Sequence, residues 1–294
     1  MKIANRMENL SPSVTLAITA LARELKAQGK DILSFSAGEP DFDTPQIVKD
    51  AAIKAINDGQ TKYTAVEGII ATKQAIINKL KKDHGLEYKL DGIVISNGAK
   101  HSLFNLFQVL IEKGDEVIIP APYWVTYPEQ VKFSDGIPVF IDTDDSTEFK
   151  ITPEQLKAVI TPKTKVLLLN TPSNPTGSVY TKEELTALGK VLEGTDILVF
   201  SDEMYEKIIY NGTKFTAAAE VSEDMYNRTV TINGLSKAVA MTGWRFGYIA
   251  TPNVALAKAL TKLQGQVTSN VNTMTQYAAI PALEGEADKD IEMM

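Results

Sequence analysis

The sequence predicts an α/β fold of three layers, in which a sheet of roughly seven, mostly parallel strands lies between helices. Short runs rich in Val and Ile alternate along the chain with longer segments of helical periodicity, and this alternation is typical of α/β domains. The short runs are continuously apolar, which indicates strands that are covered on both faces. The predicted strands are 93–96, 116–119, 137–141, 166–170, 197–201, 229–233 and 246–250.

Helical patterns fill the intervals between these strands. They cover residues 46–58, 69–84, 101–112, 181–193 and 253–264. Thr152 and Thr181 each precede a short acidic stretch. Both threonines are therefore expected to cap a helix, because a hydroxyl at the N-cap and acidic residues in the first turn stabilise that end.

Polar and aromatic residues follow five of the predicted strands. The segments concerned are 97–100, 120–124, 170–177, 202–205 and 233–237. In mostly parallel sheets, ligands bind beyond the carboxyl ends of the strands. The sequence therefore predicts that these five segments converge on one pocket.

Composition and charge exclude several kinds of chemistry. The 294 residues include no Cys and only two His, so disulfides and cysteine nucleophiles are absent and no metal site is predicted. His84 stands at a helix end, where a cation is favourable, and His101 is expected to be structural. The net charge of −7 gives no reason to expect nucleic acid or an anionic membrane as a partner.

Targeting and nucleotide-binding patterns are also missing from the sequence. Neither GxGxxG nor GxxxxGK occurs, so nucleotide chemistry loses its usual support. No secretory signal and no long apolar segment is found, and a cytoplasmic location is therefore expected.

Four residues in the strand-end segments suit one ligand. Gly98 precedes a helix whose first N–H groups favour a phosphate. An enclosed Lys237 would have a lowered pKa, which makes its amine nucleophilic toward an aldehyde. Asp202 follows a buried strand and would hold a protonated ring nitrogen, while Trp124 offers a flat face to the ring. Phosphate, aldehyde, ring nitrogen and ring face together describe pyridoxal phosphate.

The same residues also have plainer interpretations. Lys237 taken singly would be a solvated surface residue, and Asp202 would cap the next helix. Asn174 would serve a turn, and Arg245 would pair with a surface carboxylate. The residues by themselves leave both sets of interpretations open.

Residues 234–247, GLSKAVAMTGWRFG, resemble the cofactor-attachment signature of class I aminotransferases. Four further segments resemble motifs of the same family in the same order: 36–42, 62–64, 170–177 and 201–205. Together the motifs span nearly the whole chain and are most similar to those of bacterial-type aspartate aminotransferases. The resemblance implies the fold-type I architecture of pyridoxal-phosphate enzymes and a homodimer with shared active sites.

The resemblance also assigns the reacting groups, which are Lys237, Asp202 and Tyr205. Lys237 would form a Schiff base with the cofactor and then move a proton on the substrate. Asp202 would keep the ring nitrogen protonated, while Asn174 and Tyr205 would hydrogen-bond the phenolic oxygen. The residues expected at the phosphate are Gly98, Ala99, Lys100, Ser236 and Arg245.

The remaining implied contacts concern the ring, the partner subunit and the substrate. Trp124 would stack on the ring, and Tyr63 would reach the phosphate of the neighbouring subunit. Gly38, Trp124 and Asn174 would face the substrate. Ser13 and Lys100 are the candidates for sensing a second, distal carboxylate.

Two departures from the family pattern stand out. Gly234 occupies a position where the family commonly has Ser. Relatives continue for about a hundred residues, the size of a small domain, and carry there an Arg that grips the substrate carboxylate, whereas no Arg follows Arg245 here. The predicted division is an N-terminal arm with part of the small domain at 1–44, a cofactor domain at 45–285, and the start of an incomplete small domain at 286–294.

The expected activity is transamination of aspartate, or of an aromatic or prephenate-linked amino acid, with 2-oxoglutarate. Its expected partners are therefore an amino acid and a 2-oxo acid. Three alternatives remain at this stage: a cofactor-binding but catalytically impaired fragment, a related fold-type I lyase, and a cofactor-free lyase that uses Lys237.

Overall fold

All seven predicted strands form a single sheet. The computed structural model describes residues 1–8, 10–12, 14–35 and 38–294. The strands in chain order are β1 (Ile93–Asn97), β2 (Glu116–Ala121), β3 (Ile137–Asp142), β4 (Thr164–Asn170), β5 (Leu198–Asp202), β6 (Thr229–Gly234) and β7 (Phe246–Ala250). The prediction of a roughly seven-stranded sheet is confirmed.

The strands lie side by side in the order β1-β7-β6-β5-β4-β2-β3. The pairs from β6 across to β3 are parallel. Strand β7 runs antiparallel to both of its neighbours, β1 and β6. The sheet is therefore mixed but mostly parallel, and the carboxyl ends of β4, β5 and β6 lie together at one edge.

Helices cover both faces of the sheet. Those in the described residues are α1 (Val14–Ala27), α2 (Gln46–Asn57), α3 (Ile70–His84), α4 (Ala99–Leu110), α5 (Thr126–Phe133), α6 (Pro153–Val159), α7 (Lys182–Leu192), α8 (Glu223–Arg228), α9 (Val254–Val267), α10 (Thr273–Leu283) and α11 (Asp288–Met293). Helices α4, α5 and α9 share one apolar core with the sheet. Two further cores lie on the opposite face: one is formed with helices α2, α3 and α10, and the other with helices α6 to α8. The three-layer prediction is therefore confirmed.

The predicted helices are found with ends that differ by up to three residues. The hydroxyls of Thr152 and Thr181 each accept a hydrogen bond from the backbone N–H three residues later. The side chains of Gln155 and Glu184 in turn accept from the backbone N–H of these threonines. Both predicted caps are therefore confirmed, as capping boxes. Helices α1, α5, α8 and α11 were not predicted, and neither was α10. It is buried on most sides, and a helix surrounded by protein lacks the amphipathic period that identifies a surface helix.

No helix in the described part of the chain is long and apolar enough to cross a membrane. Within the same residues, no group of three or more His, Asp or Glu side chains is placed to hold a metal ion.

Candidate active site

A cavity of about 280 Å³ lies at the sheet edge where β4, β5 and β6 end. The structure brings nine of the sequence-predicted residues together around it. They are Ala99, Lys100, Trp124, Asn174, Asp202, Tyr205, Ser236, Lys237 and Arg245. These residues come from loops and helix ends that are far apart in the chain, and the parallel strands bring them to one place.

Lys237 lies three residues beyond the end of β6 and points across the cavity. Its Nζ donates a hydrogen bond to the backbone carbonyl of Gly38 and lies 5.8 Å from the centre of the Tyr205 ring. Burial lowers the pKa of Lys237, the Arg245 cation lowers it further, and Glu39 opposes both effects. A larger share of the amine is therefore neutral and nucleophilic than in a solvated lysine.

Asp202 is the last residue of β5, and its carboxylate is buried beside the cavity. Oδ2 accepts a hydrogen bond of 2.7 Å from the hydroxyl of Tyr127, and Oδ1 accepts one of 3.2 Å from the N–H of Met204. Burial raises the pKa of Asp202 to about 6, although both hydrogen bonds work against that rise. A cation placed against this carboxylate would favour its charged form.

Ala99, Lys100 and Arg245 form one wall of the cavity, and Gly98 lies against the guanidinium of Arg245. The guanidinium donates to the carbonyl of Thr242 at 2.9 Å and to that of Asn97 at 3.4 Å. Gly98 has a φ of +82°, and a Cβ at this position would lie 2.5 Å from Nη2 of Arg245. The backbone conformation therefore favours glycine, and a side chain at this position would also have to displace the end of the flexible Arg245 side chain.

Helix α4 begins directly after Gly98, and no side chain caps its first turn. The first N–H groups of a helix have no partner within the helix, and they favour an anion. Lys100, on this first turn, lies 4.8 Å from the centre of the Trp124 ring. Burial and the Arg245 cation lower the pKa of Lys100. The wall therefore offers two cations and free backbone donors to an anion.

Asn174 and Tyr205 lie side by side in the wall of the cavity. Nδ2 of Asn174 lies 3.4 Å from the Tyr205 hydroxyl, and burial and the charge of Asp202 raise the pKa of Tyr205. Asn170 holds the loop in place, because its side chain accepts from the N–H of Asn174 at 2.7 Å and donates to the carbonyl of Asp202 at 3.0 Å. The two predicted hydrogen-bonding groups are therefore presented together.

Three predicted residues lie elsewhere. Gly38 does not line the cavity itself, but its backbone carbonyl accepts a hydrogen bond from Lys237, which does. Tyr63 is 90% exposed and does not line the cavity of its own chain. Ser13 lies outside the described residues, so the structure says nothing about its predicted contact with a distal carboxylate.

Gly234, where the sequence predicted a departure from the family pattern, packs closely against the neighbouring strand. A Cβ at this position would lie 2.6 Å from the carbonyl oxygen of Phe246 on the neighbouring strand. A serine would therefore require β6 and β7 to move apart. Ser236, two residues later, places a hydroxyl on the cavity wall.

Four residues of the cavity wall were not named as candidate site residues: Tyr127, Asn170, Met204 and Thr242. Asn170 and Met204 lie in strand-end segments that were predicted to converge on the pocket, and Thr242 lies inside the 234–247 motif. Tyr127 carries no such signal because it lies on helix α5. Its relation to Asp202 depends on a contact across 75 positions in the chain.

The cations of the cavity are not neutralised by the protein. Lys100, Lys237 and Arg245 form no ion pair with a carboxylate among the residues that the structure describes. The residues present fit pyridoxal phosphate: an anion site on the α4 wall, an amine for an aldehyde, and a carboxylate for a ring nitrogen.

Comparison with known proteins gives the family. A family model described as aminotransferase class I and II matches residues 30–294. An aspartate aminotransferase of Geobacillus stearothermophilus is 54% identical over 285 residues, which make up 97% of this chain and 72% of the relative. An aspartate/prephenate aminotransferase of Nitrosomonas europaea is 51% identical, over an alignment that covers 100% of this chain and 74% of the relative.

Solved structures agree with these relatives. The aspartate aminotransferase from Thermus thermophilus with maleate superimposes with a TM-score of 0.96 at 40% identity, over 100% of this chain and 76% of the other. That from Rhizobium meliloti gives a TM-score of 0.94 at 42% identity, over 100% of this chain and 74% of the other. The chain belongs to the class I and II aminotransferases, which are pyridoxal-phosphate-dependent enzymes.

Proposed function

We propose that this enzyme transfers the amino group of aspartate to 2-oxoglutarate and that Lys237 binds the cofactor and moves the proton. The observation that carries the proposal is the placement of the Lys237 amine, the Asp202 carboxylate and the Arg245 guanidinium around one cavity. Aspartate is favoured as the donor because the relatives named above are aspartate or aspartate/prephenate aminotransferases. An aromatic amino acid or a prephenate-linked substrate is the second candidate, because one of these relatives is an aspartate/prephenate aminotransferase.

Pyridoxal phosphate, when bound, supplies an aldehyde that takes up amino groups and a ring that withdraws electrons. Arg245, Lys100 and the first turn of α4 would hold its phosphate, and Ser236 would add a hydroxyl. Trp124 would cover one face of the ring. Asp202 would pair with the ring nitrogen and keep its proton in place, since a charged carboxylate favours a neighbouring cation.

Lys237 serves two tasks in this proposal. With the cofactor bound, its neutral amine would be the group that joins the aldehyde carbon, with water as the leaving group. Once the amine of the substrate has replaced it there, the same Nζ would be free to accept the proton from the Cα of the amino acid as a general base and to pass it to the cofactor carbon as a general acid. The lowered pKa of Lys237 suits both tasks, because a base works best when its pKa is close to the working pH.

Asn174 and Tyr205 would hydrogen-bond the phenolic oxygen of the cofactor, and Gly38 would face the substrate beside Lys237. The two side chains lie 3.4 Å apart and can both reach one oxygen atom between them. Hydrogen bonds to a charged oxygen favour the charged form, so this pair would set the pH range in which the cofactor is reactive.

Tyr63 supports a homodimer. Its phenol is exposed, yet the segment that carries it is held firmly: Thr273 donates to the carbonyl of Lys62 at 2.8 Å, and Gln264 donates to that of Val66 at 2.8 Å. We propose that this segment presents Tyr63 to the cavity of a second copy, where the phenol would reach the phosphate.

We further propose that residues 45–285 form the cofactor-binding domain. All seven strands lie within that range. Residues 1–44 would form an arm with part of the small domain, and residues 286–294 would open the remainder of that domain.

The decisive experiment is Lys237→Ala. The wild-type protein, incubated with pyridoxal phosphate and reduced with borohydride, should carry the cofactor on the peptide that contains Lys237. The variant should lose this label and about 10²–10⁴-fold in kcat, the usual contribution of a general base. Lys262→Ala, which removes an exposed lysine on helix α9, should keep both the label and the rate.

Product analysis separates the alternatives. A transaminase forms one glutamate for each aspartate consumed, and oxaloacetate accumulates in equal amount. A lyase would release a fragment of the substrate without forming glutamate. Cofactor binding without oxaloacetate formation would identify a catalytically impaired protein, and a label that persists in Lys237→Ala would overturn the assignment of Lys237.

A further inference from the structure

A second group of charged side chains lies behind the cavity, on the opposite side of residues 202–206. We call it the anchor cluster and define it as Lys79, Asp83, His84, Glu203 and Glu206. It is deeply buried: Glu203 is 0% exposed as a residue, and the side chains of Glu206 and His84 are 5% and 8% exposed. None of these residues lines the cofactor cavity.

Glu206 lies at the centre of the anchor cluster. It accepts a hydrogen bond from Lys79 and a second one, of 2.9 Å, from Nε2 of His84. Lys79 also lies 3.5 Å from Asp83 on the same helix. Nδ1 of His84 lies 3.5 Å from Glu220. The end of helix α3 is thereby tied to the turn that follows β5.

Glu203 ties the start of the same turn. Its Oε1 accepts from the hydroxyl of Ser201 at 2.7 Å and from the N–H of Ala218 at 3.3 Å. The N–H of Glu206 donates to the carbonyl of Glu203 at 3.0 Å, which closes the turn. Oε2 of Glu203 has no hydrogen-bond partner among the described residues, and burial raises the pKa of Glu203 to about 7.

The turn therefore has two faces. Asp202 and Tyr205 line the cavity, whereas Glu203 and Glu206 enter the anchor cluster. A buried ion pair adds little net stability, because removing charges from water costs as much as their attraction returns. Its directional contacts do restrict the conformations of the groups that carry it. Because Glu206 directly follows Tyr205 in the chain, the contacts that fix Glu206 also restrict the backbone that carries Tyr205.

We propose that Lys79, His84 and Glu206 are positioning residues that hold Tyr205 and Asp202 in place at the cofactor. The proposal rests on the proposed function only for the identity of the ligand that occupies the cavity. The anchoring itself concerns the turn and does not depend on the ligand.

Charges around His84 are arranged to keep it protonated. Burial lowers its pKa, but the hydrogen bonds to Glu206 and Glu220 outweigh burial and raise the pKa to about 9, against a smaller opposing effect of Lys79. Burial would raise the pKa of Glu206, yet Lys79 and His84 lower it to about 2. Tyr248 of β7 also faces the carboxylates of the cluster. At neutral pH the contact between His84 and Glu206 therefore joins two charged groups.

The test is Glu206→Gln and His84→Gln, measured at a temperature where both variants are folded by circular dichroism. Fluorine NMR of fluorotyrosine-labelled protein without cofactor, with the Tyr205 signal assigned by Tyr205→Phe, should show that signal displaced in both variants. With cofactor, the midpoint of its absorbance change with pH should move by about half a unit or more, and kcat should fall about tenfold or more with less change in KM.

The matched control is Lys81→Met, which removes the exposed ion pair of Lys81 with Glu87, 2.6 Å apart. It should change none of these readouts. Unchanged fluorine signals and midpoints in Glu206→Gln, with only a lower melting temperature, would overturn the proposal. If single variants fail to fold, the paired variant Lys79→Met, Glu206→Met restores charge balance, and a Tyr205 signal at the wild-type position would then contradict anchoring.

The fluorine signal separates this proposal from the proposed function. A displaced Tyr205 signal in protein that never binds pyridoxal phosphate would support anchoring while the function fails. If the Tyr205 signal stays at its wild-type position in the variants, while the wild-type protein binds pyridoxal phosphate and transaminates aspartate, the proposed function stands and anchoring fails.

Discussion

The cofactor cavity and the anchor cluster lie on opposite sides of one turn, but they treat charge in opposite ways. In the cavity, Lys100, Lys237 and Arg245 have no carboxylate in ion-pair contact among the described residues, and Asp202 is held by neutral donors. In the cluster, every cation has an anion beside it: Lys79 and His84 share Glu206.

The difference shows how to separate a binding site from a structural element. Charges that the protein leaves unpaired are available to a ligand, and in this cavity their arrangement complements an anion and a cationic ring. Charges that the protein pairs and buries have no capacity left for a ligand, and their effect is on the geometry of the chain. Three substitutions test this contrast.

Asp202→Asn should have the largest effect. The amide has nearly the same shape but carries no charge to oppose a ring cation, so kcat should fall by about 10²–10³-fold, as when a preorganised electrostatic group is lost. Steady-state kinetics and cofactor titration would measure it, with a smaller change expected in cofactor affinity. Asp142→Asn, which changes the exposed last residue of β3, is the control, and an unchanged rate in Asp202→Asn would remove the carboxylate from the mechanism.

His84→Gln should have an intermediate effect, on stability and its pH dependence. The folded-state pKa of about 9 is above the ordinary 6.5, so the stabilisation is complete below about pH 6.5 and is lost as the pH rises through about 9. The wild-type free energy of unfolding should fall by about 3 kcal/mol over that range, and the variant should lack this fall. Urea unfolding at several pH values would measure it.

His101→Gln is the matched control for that experiment. Burial lowers the pKa of His101, so this histidine does not contribute a loss of stability at alkaline pH. The fall should therefore persist in His101→Gln. If it also persists in His84→Gln, the cluster is not the source of the alkaline loss.

Tyr127→Phe should have the smallest effect and should act through Asp202. The hydroxyl lowers the pKa of Asp202, so its removal should raise that pKa further above about 6. The kcat, which needs the charged carboxylate, should then decline at a higher pH than in the wild type, by about one unit for a hydrogen bond of about 1.5 kcal/mol. Steady-state kinetics across pH would measure the displacement, and Tyr123→Phe on the preceding loop should leave the profile in place.

Much of the fold was predictable because the relevant signals are local. Most strands are apolar runs, and each confirmed cap is a threonine with its partner three residues later. Some helices escaped prediction, and one of them has a clear physical reason. Helix α10 is apolar on most sides and carries Pro281, so neither a period nor an ordinary helix composition marks it.

The cavity was predictable in a different way. Its main residues follow strands, and parallel strands deliver their carboxyl ends to one edge. Tyr127 escaped this reasoning because it approaches Asp202 from a helix on the face of the sheet. His84 was assigned only to a helix end, where a cation is favourable, and its carboxylate partner could not be inferred from that position.

The sequence by itself determined the seven strands, the family motifs and the identities of Lys237, Asp202 and Arg245, because local periodicity and short-range spacing carry that information. Only the tertiary structure decided which charges are paired. Lys79 and His84 meet Glu206 across 127 and 122 positions of the chain. Coulombic contacts and burial depend on distance in space, which the order of residues does not specify until the sheet and its helices are packed.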